Sequence, residues 1–217
     1  WGSATAPQGT GWSFADGHSD NAQLVTKVEY GQLTERERLT ITGVTAGGTE
    51  AGQKHYTLYK GNSILRFPYC DATGAPLLPI EVQVTDTGGT VVERYSVLPA
   101  RAETSGNRPV GLASGTTSAY YVSWTTFEHD STKGHLTKES RYIDIGNAKK
   151  LDTTYKYTDA GLRYYERSPD GTIRYTEYDV LGRVTREWMG TNDEGGTPTS
   201  PHVGNGTNNM VDLRWVW

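Results

Sequence analysis

Few side chains in this sequence are of the type and spacing that do chemistry. The five histidines, His18, His55, His129, His135 and His202, make no HExxH or HxH pattern that would bring two imidazoles onto one metal ion. His129 and His135 flank a turn and are the one pair that can meet across it, but they read as surface histidines. Cys70 is the only cysteine, which excludes a disulfide within the chain and a cysteine zinc site. As a nucleophile Cys70 needs an imidazole base beside it. Between Tyr69 and Asp71 it reads instead as a small buried hydrophobe.

Acidic residues give no clearer signal. The run Asp16-Gly17-His18-Ser19-Asp20-Asn21 lacks the alternating oxygen ligands and terminal Glu of a calcium loop, so it reads as a turn. Glu128 with Asp130, and Asp193 with Glu194, are close neighbours in sequence rather than opposed catalytic carboxylates. No GxSxG, phosphate-binding loop or complete GxGxxG is present. The sequon Asn205-Gly206-Thr207 matters only in a eukaryotic secretory setting. No catalytic residue, metal site or cofactor is therefore expected. A hydrolase would require two carboxylates that converge only in three dimensions.

Aromatic residues are the remaining functional hint. Tyr outnumbers Phe 14 to 3, and there are six Trp. Trp12, Tyr120, Tyr121, Trp124 and Trp188 are candidate platforms for stacking sugars, which would make the chain a carbohydrate-binding adhesion module. The competing reading makes the same rings the ladder and core of a β structure. We take the second as the stronger.

The elements that must position these residues are strands. Aromatic and β-branched residues suit pleated, half-buried surfaces, and 26 Gly interrupt any long helical window. Ile80-Glu81-Val82-Gln83-Val84 alternates with the period of a strand that buries one face. Asp86-Thr87-Gly88-Gly89 then turns the chain into Val91–Val97 as a hairpin partner. Earlier strand-like runs cover 24–30, 33–41, 54–59 and 64–67. At 217 residues the chain can bury a core without covalent staples. Its formal charge of −4 supplies no basic footprint for nucleic acid, and no apolar run is long enough to span a membrane as a helix.

Three regions follow from this pattern. Residues 1–101 form a β-rich module with irregularly spaced strands. Residues 102–118, rich in Gly, Ser, Thr and Pro, read as a long loop or boundary. Residues 119–217 become repetitive, with an inserted loop at 190–209. Tyr157 and Gly161 recur as Tyr178 and Gly182, 21 residues later, and Ser168-Pro169-Asp170-Gly171 is a strong turn between them. Weaker echoes are Tyr142-Ile143-Asp144-Ile145-Gly146, Phe127 to Gly134, and Tyr69 to Gly74. Such periodicity points to stacked units, none of which buries its own face alone.

The segment Tyr178-Asp179-Val180-Leu181-Gly182-Arg183-Val184-Thr185, preceded by Gly171, Thr172 and Tyr175, resembles the YD repeat of the Rhs and teneurin-like families. The likeness is clearest over 154–188. The Tyr157 copy departs from it, with Thr158 in place of Asp and Leu162 in place of Arg. In the repeat reading, Asp179 accepts hydrogen bonds from the turn backbone and Gly182 takes the left-handed conformation. Arg183 stacks on a Tyr or pairs with an acid. The resemblance implies antiparallel strand–turn repeats forming part of a stacked β-sheet spiral or shell. It also implies a very large secreted or surface protein, bacterial in setting, with the other repeats of its own chain as partners. No initiator Met precedes Trp1, and the strand-like Leu213–Trp217 closes the sequence, so we read a piece of a longer chain. Such a piece is expected to self-associate through its sheet edges.

Overall fold

The computed structural model describes residues 25–30, 36–44, 50–71, 73–203 and 206–215. Trp12 lies outside them. The strands are β1 (Val25–Tyr30), β2 (Arg36–Val44), β3 (Glu50–Lys60), β4 (Ser63–Cys70), β5 (Ile80–Thr85), β6 (Val91–Val97), β7 (Ala102–Ser105) and β8 (Arg108–Leu112). They continue as β9 (Tyr121–His129), β10 (Leu136–Asp144), β11 (Lys149–Tyr157), β12 (Arg163–Arg167), β13 (Ile173–Tyr178), β14 (Val184–Gly190) and β15 (Val211–Trp215). Two single 3-10 turns, Pro99–Arg101 and Ser118–Tyr120, are the only helical elements among the described residues. None is long and apolar enough to cross a membrane.

Thirteen strands form one antiparallel sheet in chain order, from β1 to β6 and then from β9 to β15. Every neighbour in the sheet is thus a neighbour in sequence, apart from the step from β6 to β9. The composition expects this all-β, antiparallel strand–turn architecture, and the chain adopts it. β1 and β15 stand at opposite ends of the strand order, so the sheet is open.

Residues 102–118 do not mark a boundary in the sheet. β7 and β8 make a separate hairpin there, and the sheet passes beneath it through the pair Tyr95 and Trp124 of β6 and β9. The hairpin turns at Gly106 and Asn107, with φ of 57° and 63°. Two successive positive φ values are what a type I′ turn requires, and Gly and Asn are the residues that accept them.

Strand alternation decides which face is buried. Ile80–Thr85 and Ile173–Tyr178 each begin buried, exposed, buried, as a one-sided strand should. Leu58, Leu65, Val82, Tyr95 and Trp124 are successive cross-strand partners. Two residues along from Trp124, Thr126 continues through Ser140 to Asp152. From Thr154 the row passes to Arg167, and two residues back Tyr165 pairs with Tyr175 and then Trp188. Both apolar clusters consequently lie on the same face. The first is Tyr56, Leu58, Leu65, Phe67, Cys70, Ile80, Val82 and Val97, with Ala102 and Leu112 of the β7–β8 hairpin packed against it. The second is Tyr165, Ile173, Tyr175, Trp188 and Met210. Met210 belongs to the segment between β14 and β15, which folds back over that face. The opposite face carries exposed Arg66, Glu81, Arg94, Ser123, Arg141 and Arg174.

Candidate functional site

The repeated turns are the most uniform feature of the molecule. At the Tyr178 copy, the Asp179 N–H donates to the Arg183 carbonyl at 2.9 Å and the Gly182 N–H donates to the Asp179 carbonyl at 3.0 Å. This is a type I turn closed by a left-handed bulge residue, and Gly182 occupies that place with φ +78°. Oδ1 of Asp179 accepts the N–H groups of Leu181 and Arg183, both at 2.9 Å, and Oδ2 takes the Arg183 guanidinium Nε at 2.7 Å. Arg183 therefore pairs with the acid of its own turn.

The same pair of backbone bonds closes the turns at Asp71, Asp86, Thr158 and Ser168, each with Gly three residues on. Gly74, Gly89, Gly161 and Gly171 have φ between +80° and +88°. Thr158 substitutes for Asp through its hydroxyl oxygen, which accepts the Leu162 N–H at 3.1 Å. The Asp130 turn is one residue longer and closes on His135. The Tyr142 copy is different. Its Gly146 follows Asp144 by two residues rather than three, and Ala148 carries the positive φ. That segment is an ordinary turn rather than a copy of the repeat.

Turns on one edge of the sheet touch each other. A Cβ at Gly161 would lie 3.2 Å from the His135 ring, and one at Gly182 would lie 3.5 Å from Leu162. The residues following Gly134 and Gly161 thus cover the glycines of the next turns on this edge, Gly161 and Gly182. Lys133 adds an ion pair to Asp159 at 3.5 Å. Tyr157 stacks on His135 with centroids 4.7 Å apart, and the Tyr178 hydroxyl donates to the Arg163 carbonyl at 2.8 Å. Tyr175 faces the second cluster instead, and its hydroxyl donates to Asp193 at 2.7 Å.

The turn N–H donors have an electrostatic consequence. The backbone bond from Arg183, followed by its side chain, holds the Asp179 carboxyl below the usual carboxylate range. At Asp130 the Lys133 N–H does so first, and at Asp71 the Thr73 hydroxyl. A carboxyl depressed in the folded state stabilises above its unfolded value of about 4, and that contribution is lost as pH falls through the folded value. The thermal midpoint is therefore expected to drop on acidification below about pH 4. Asp179→Asn keeps an acceptor for the turn and loses the ion pair, so its midpoint should vary less with pH over that range. Melting curves from pH 7 down to 2 check this, and an unchanged pH dependence in the variant would contradict the role given to Asp179.

The candidate sugar platforms resolve differently. Trp188 is fully buried in the second cluster, so it cannot stack on a ligand. That expectation is corrected, because the 191–210 segment closes over it. Tyr121 stacks on Tyr95 at 4.2 Å, and Trp124 stacks on Tyr142 at 3.8 Å. Tyr121 and Trp124 meet edge to face at 5.7 Å. The Trp124 indole N–H donates to Glu93 at 2.6 Å. Tyr120 has the Arg101 guanidinium 4.3 Å above its ring. Each of these rings already has a protein group on a face, as a cross-strand ladder requires.

Residues of chemical type do not converge. Burial pushes the Cys70 thiol up to about 12, with Asp71 adding to the effect, so it stays a neutral thiol. His135 is occupied with Tyr157. Glu128 shares Lys138 with Asp152, at 3.4 and 3.3 Å. Desolvation raises the Asp152 carboxyl, but hydrogen bonds from Ser140 and Lys138 outweigh it and hold the group low. Asp193 and Glu194 accept from Tyr175 and Thr207 and so anchor the segment over Trp188. Among the described residues, no three His, Cys, Asp or Glu side chains are grouped to hold a metal ion.

Sequence inspection missed two features. The β7–β8 hairpin was signalled by Gly106-Asn107, and the equivalence of the Asp86 turn to those at Asp71 and Asp179 by the shared Asp-x-x-Gly spacing. No protein-family model matches the chain, and no curated protein matches it either.

Proposed function

We propose that this chain is a non-catalytic structural section of a large extracellular YD-repeat protein. It would form a β-rich scaffold at the cell surface or part of a toxin-enclosing shell. The observation that carries the reading is the recurrence of one turn at Asp71, Asp86, Thr158, Ser168 and Asp179, along a sheet whose strands follow chain order. Such a sheet grows by adding hairpins, each resting on the one before, which is the logic of a stacked repeat. Divergent copies at Asp71 and Asp86 favour the view that residues 1–101 belong to the same array. Its partners would be neighbouring repeats of the same chain, joined through strands like β1 and β15. The carbohydrate-binding alternative finds less support, because among the described candidates Trp188 is buried, Tyr121 and Trp124 stack on Tyr95 and Tyr142, and Tyr120 lies under Arg101.

The intact mass of the native polypeptide from its source tests the reading. A chain of hundreds of kilodaltons is expected. A native mass near 23.8 kDa would overturn it, since a complete protein of that size is not a section of a long array.

A further inference from the structure

We propose that Tyr95 and Tyr121 are a site of oxidative cross-linking, at which a peroxide-driven one-electron oxidant joins β6 to β9 as a dityrosine. The two rings lie 4.2 Å apart between centroids and only 8° from parallel. They stand diagonally across adjacent strands, since Tyr95 pairs with Trp124 and Tyr121 with Val97. Stacking at this separation brings ring carbons near van der Waals contact, so the two rings can couple face to face as radicals and then turn out of the stack as the biaryl bond flattens. No other tyrosine pair in the described residues is both stacked and near parallel: Tyr164 and Tyr165 meet Tyr175 at 32° and 77°.

The neighbours favour oxidation at this pair. Trp124 meets Tyr121 edge to face, and Tyr142 stacks on Trp124 in turn. An electron hole arriving on the half-buried outer rings thus has a contiguous aromatic path to Tyr121. Burial raises both phenols above their ordinary value, so each stays protonated and reacts by losing a hydrogen atom rather than as a phenolate.

The chemistry balances with hydrogen peroxide as oxidant. Each phenol gives up one electron and its hydroxyl proton, and the peroxide is reduced to two waters. A carbon–carbon bond forms between the ring positions ortho to the two oxygens. The hydrogen on each joined carbon then leaves as a proton, and each phenol oxygen is reprotonated. The protein loses two hydrogen atoms in all. The link closes the segment from 95 to 121 and pins the β7–β8 hairpin over the first cluster. A chain with one cysteine has no disulfide with which to do this.

The whole 217-residue chain, kept dilute, is treated with a peroxidase and hydrogen peroxide. The expected product is a monomer lighter by two hydrogens, with dityrosine fluorescence and a proteolytic fragment joining Tyr95 to Tyr121. Tyr95→Phe and Tyr121→Phe keep the stacked rings and should each lose the product, whereas Tyr120→Phe should retain it. A link between other tyrosines, a link only between chains, or no link in the folded protein would overturn the proposal.

Discussion

Trp188→Ala is expected to lower stability by about 3–5 kcal/mol, the cost of removing a large aromatic from a closed core. Trp188 is fully buried among Tyr165, Ile173, Tyr175 and Met210, and Arg186 lies 5.0 Å over its ring. The loss should also be local. In a sheet whose strands pair in chain order, the two clusters are joined through β9 to β11, where Ser140 is the one fully buried side chain. Chemical denaturation is therefore expected to split into two transitions. Strands β12–β15 should melt early, and the β3–β6 cluster should melt near the position of the unaltered protein. A single transition shifted as a whole would mean that the middle strands couple the two ends more tightly than their packing suggests.

Gly74→Ala should be a strongly damaging change in the first half. Gly74 has φ +80°, a conformation that costs a residue with a Cβ roughly 1–2 kcal/mol. The added carbon would also clash with the carbonyl oxygen of Asn107. That oxygen is backbone, so the β7–β8 hairpin must move as a unit. Ala102 and Leu112 would then lift away from the first cluster. Gly89→Ala is the control, because Gly89 shares the positive φ and meets nothing within 4 Å. Gly74→Ala is expected to destabilise clearly more than Gly89→Ala in matched denaturation curves. Equal losses would show that the hairpin does not rest on Gly74.

Local features were legible from the residues, and long-range ones were not. Alternation marks Ile80–Val84 as a one-sided strand, because burial with period two leaves its trace within the strand itself, and the Asp86–Gly89 turn marks Val91–Val97 as its partner. Asp179 and Gly182 announce their turn because a side-chain acceptor and a left-handed residue are both local requirements. The burial of Trp188 depends on Met210 and Asp193, which arrive from an irregular segment with no period to read. The sharing of one face by both clusters depends on thirteen strands keeping register, which no short window contains. The Gly/Ser/Thr/Pro-rich stretch misleads for a related reason. Its composition suits a loop, while the Gly106-Asn107 turn and the apolar surface beneath make it a hairpin.

The aromatic excess belongs to the same lesson. A Tyr or Trp on a strand serves a ligand or a neighbouring strand, and composition does not distinguish them. The geometry does, through rings stacked at 4.2 and 3.8 Å and a guanidinium over Tyr120.

The central claim is that the sheet is an array of hairpin units joined by equivalent turns. Joining His129 directly to Thr158 tests it most directly, by deleting residues 130–157 with strands β10 and β11 and the two turns at 130–135 and 145–148. His129 then takes the place of Tyr157 ahead of the turn, while Thr126 and Glu128 take those of Thr154 and Lys156. Each residue keeps its face, and neither apolar cluster loses a member. An array predicts a shortened protein with a β-sheet circular dichroism spectrum, a cooperative melt and Trp188 still shielded from quenchers. A chain that no longer folds would contradict the account, because it would mean that the middle hairpin is a unique part of a single domain rather than one unit among several.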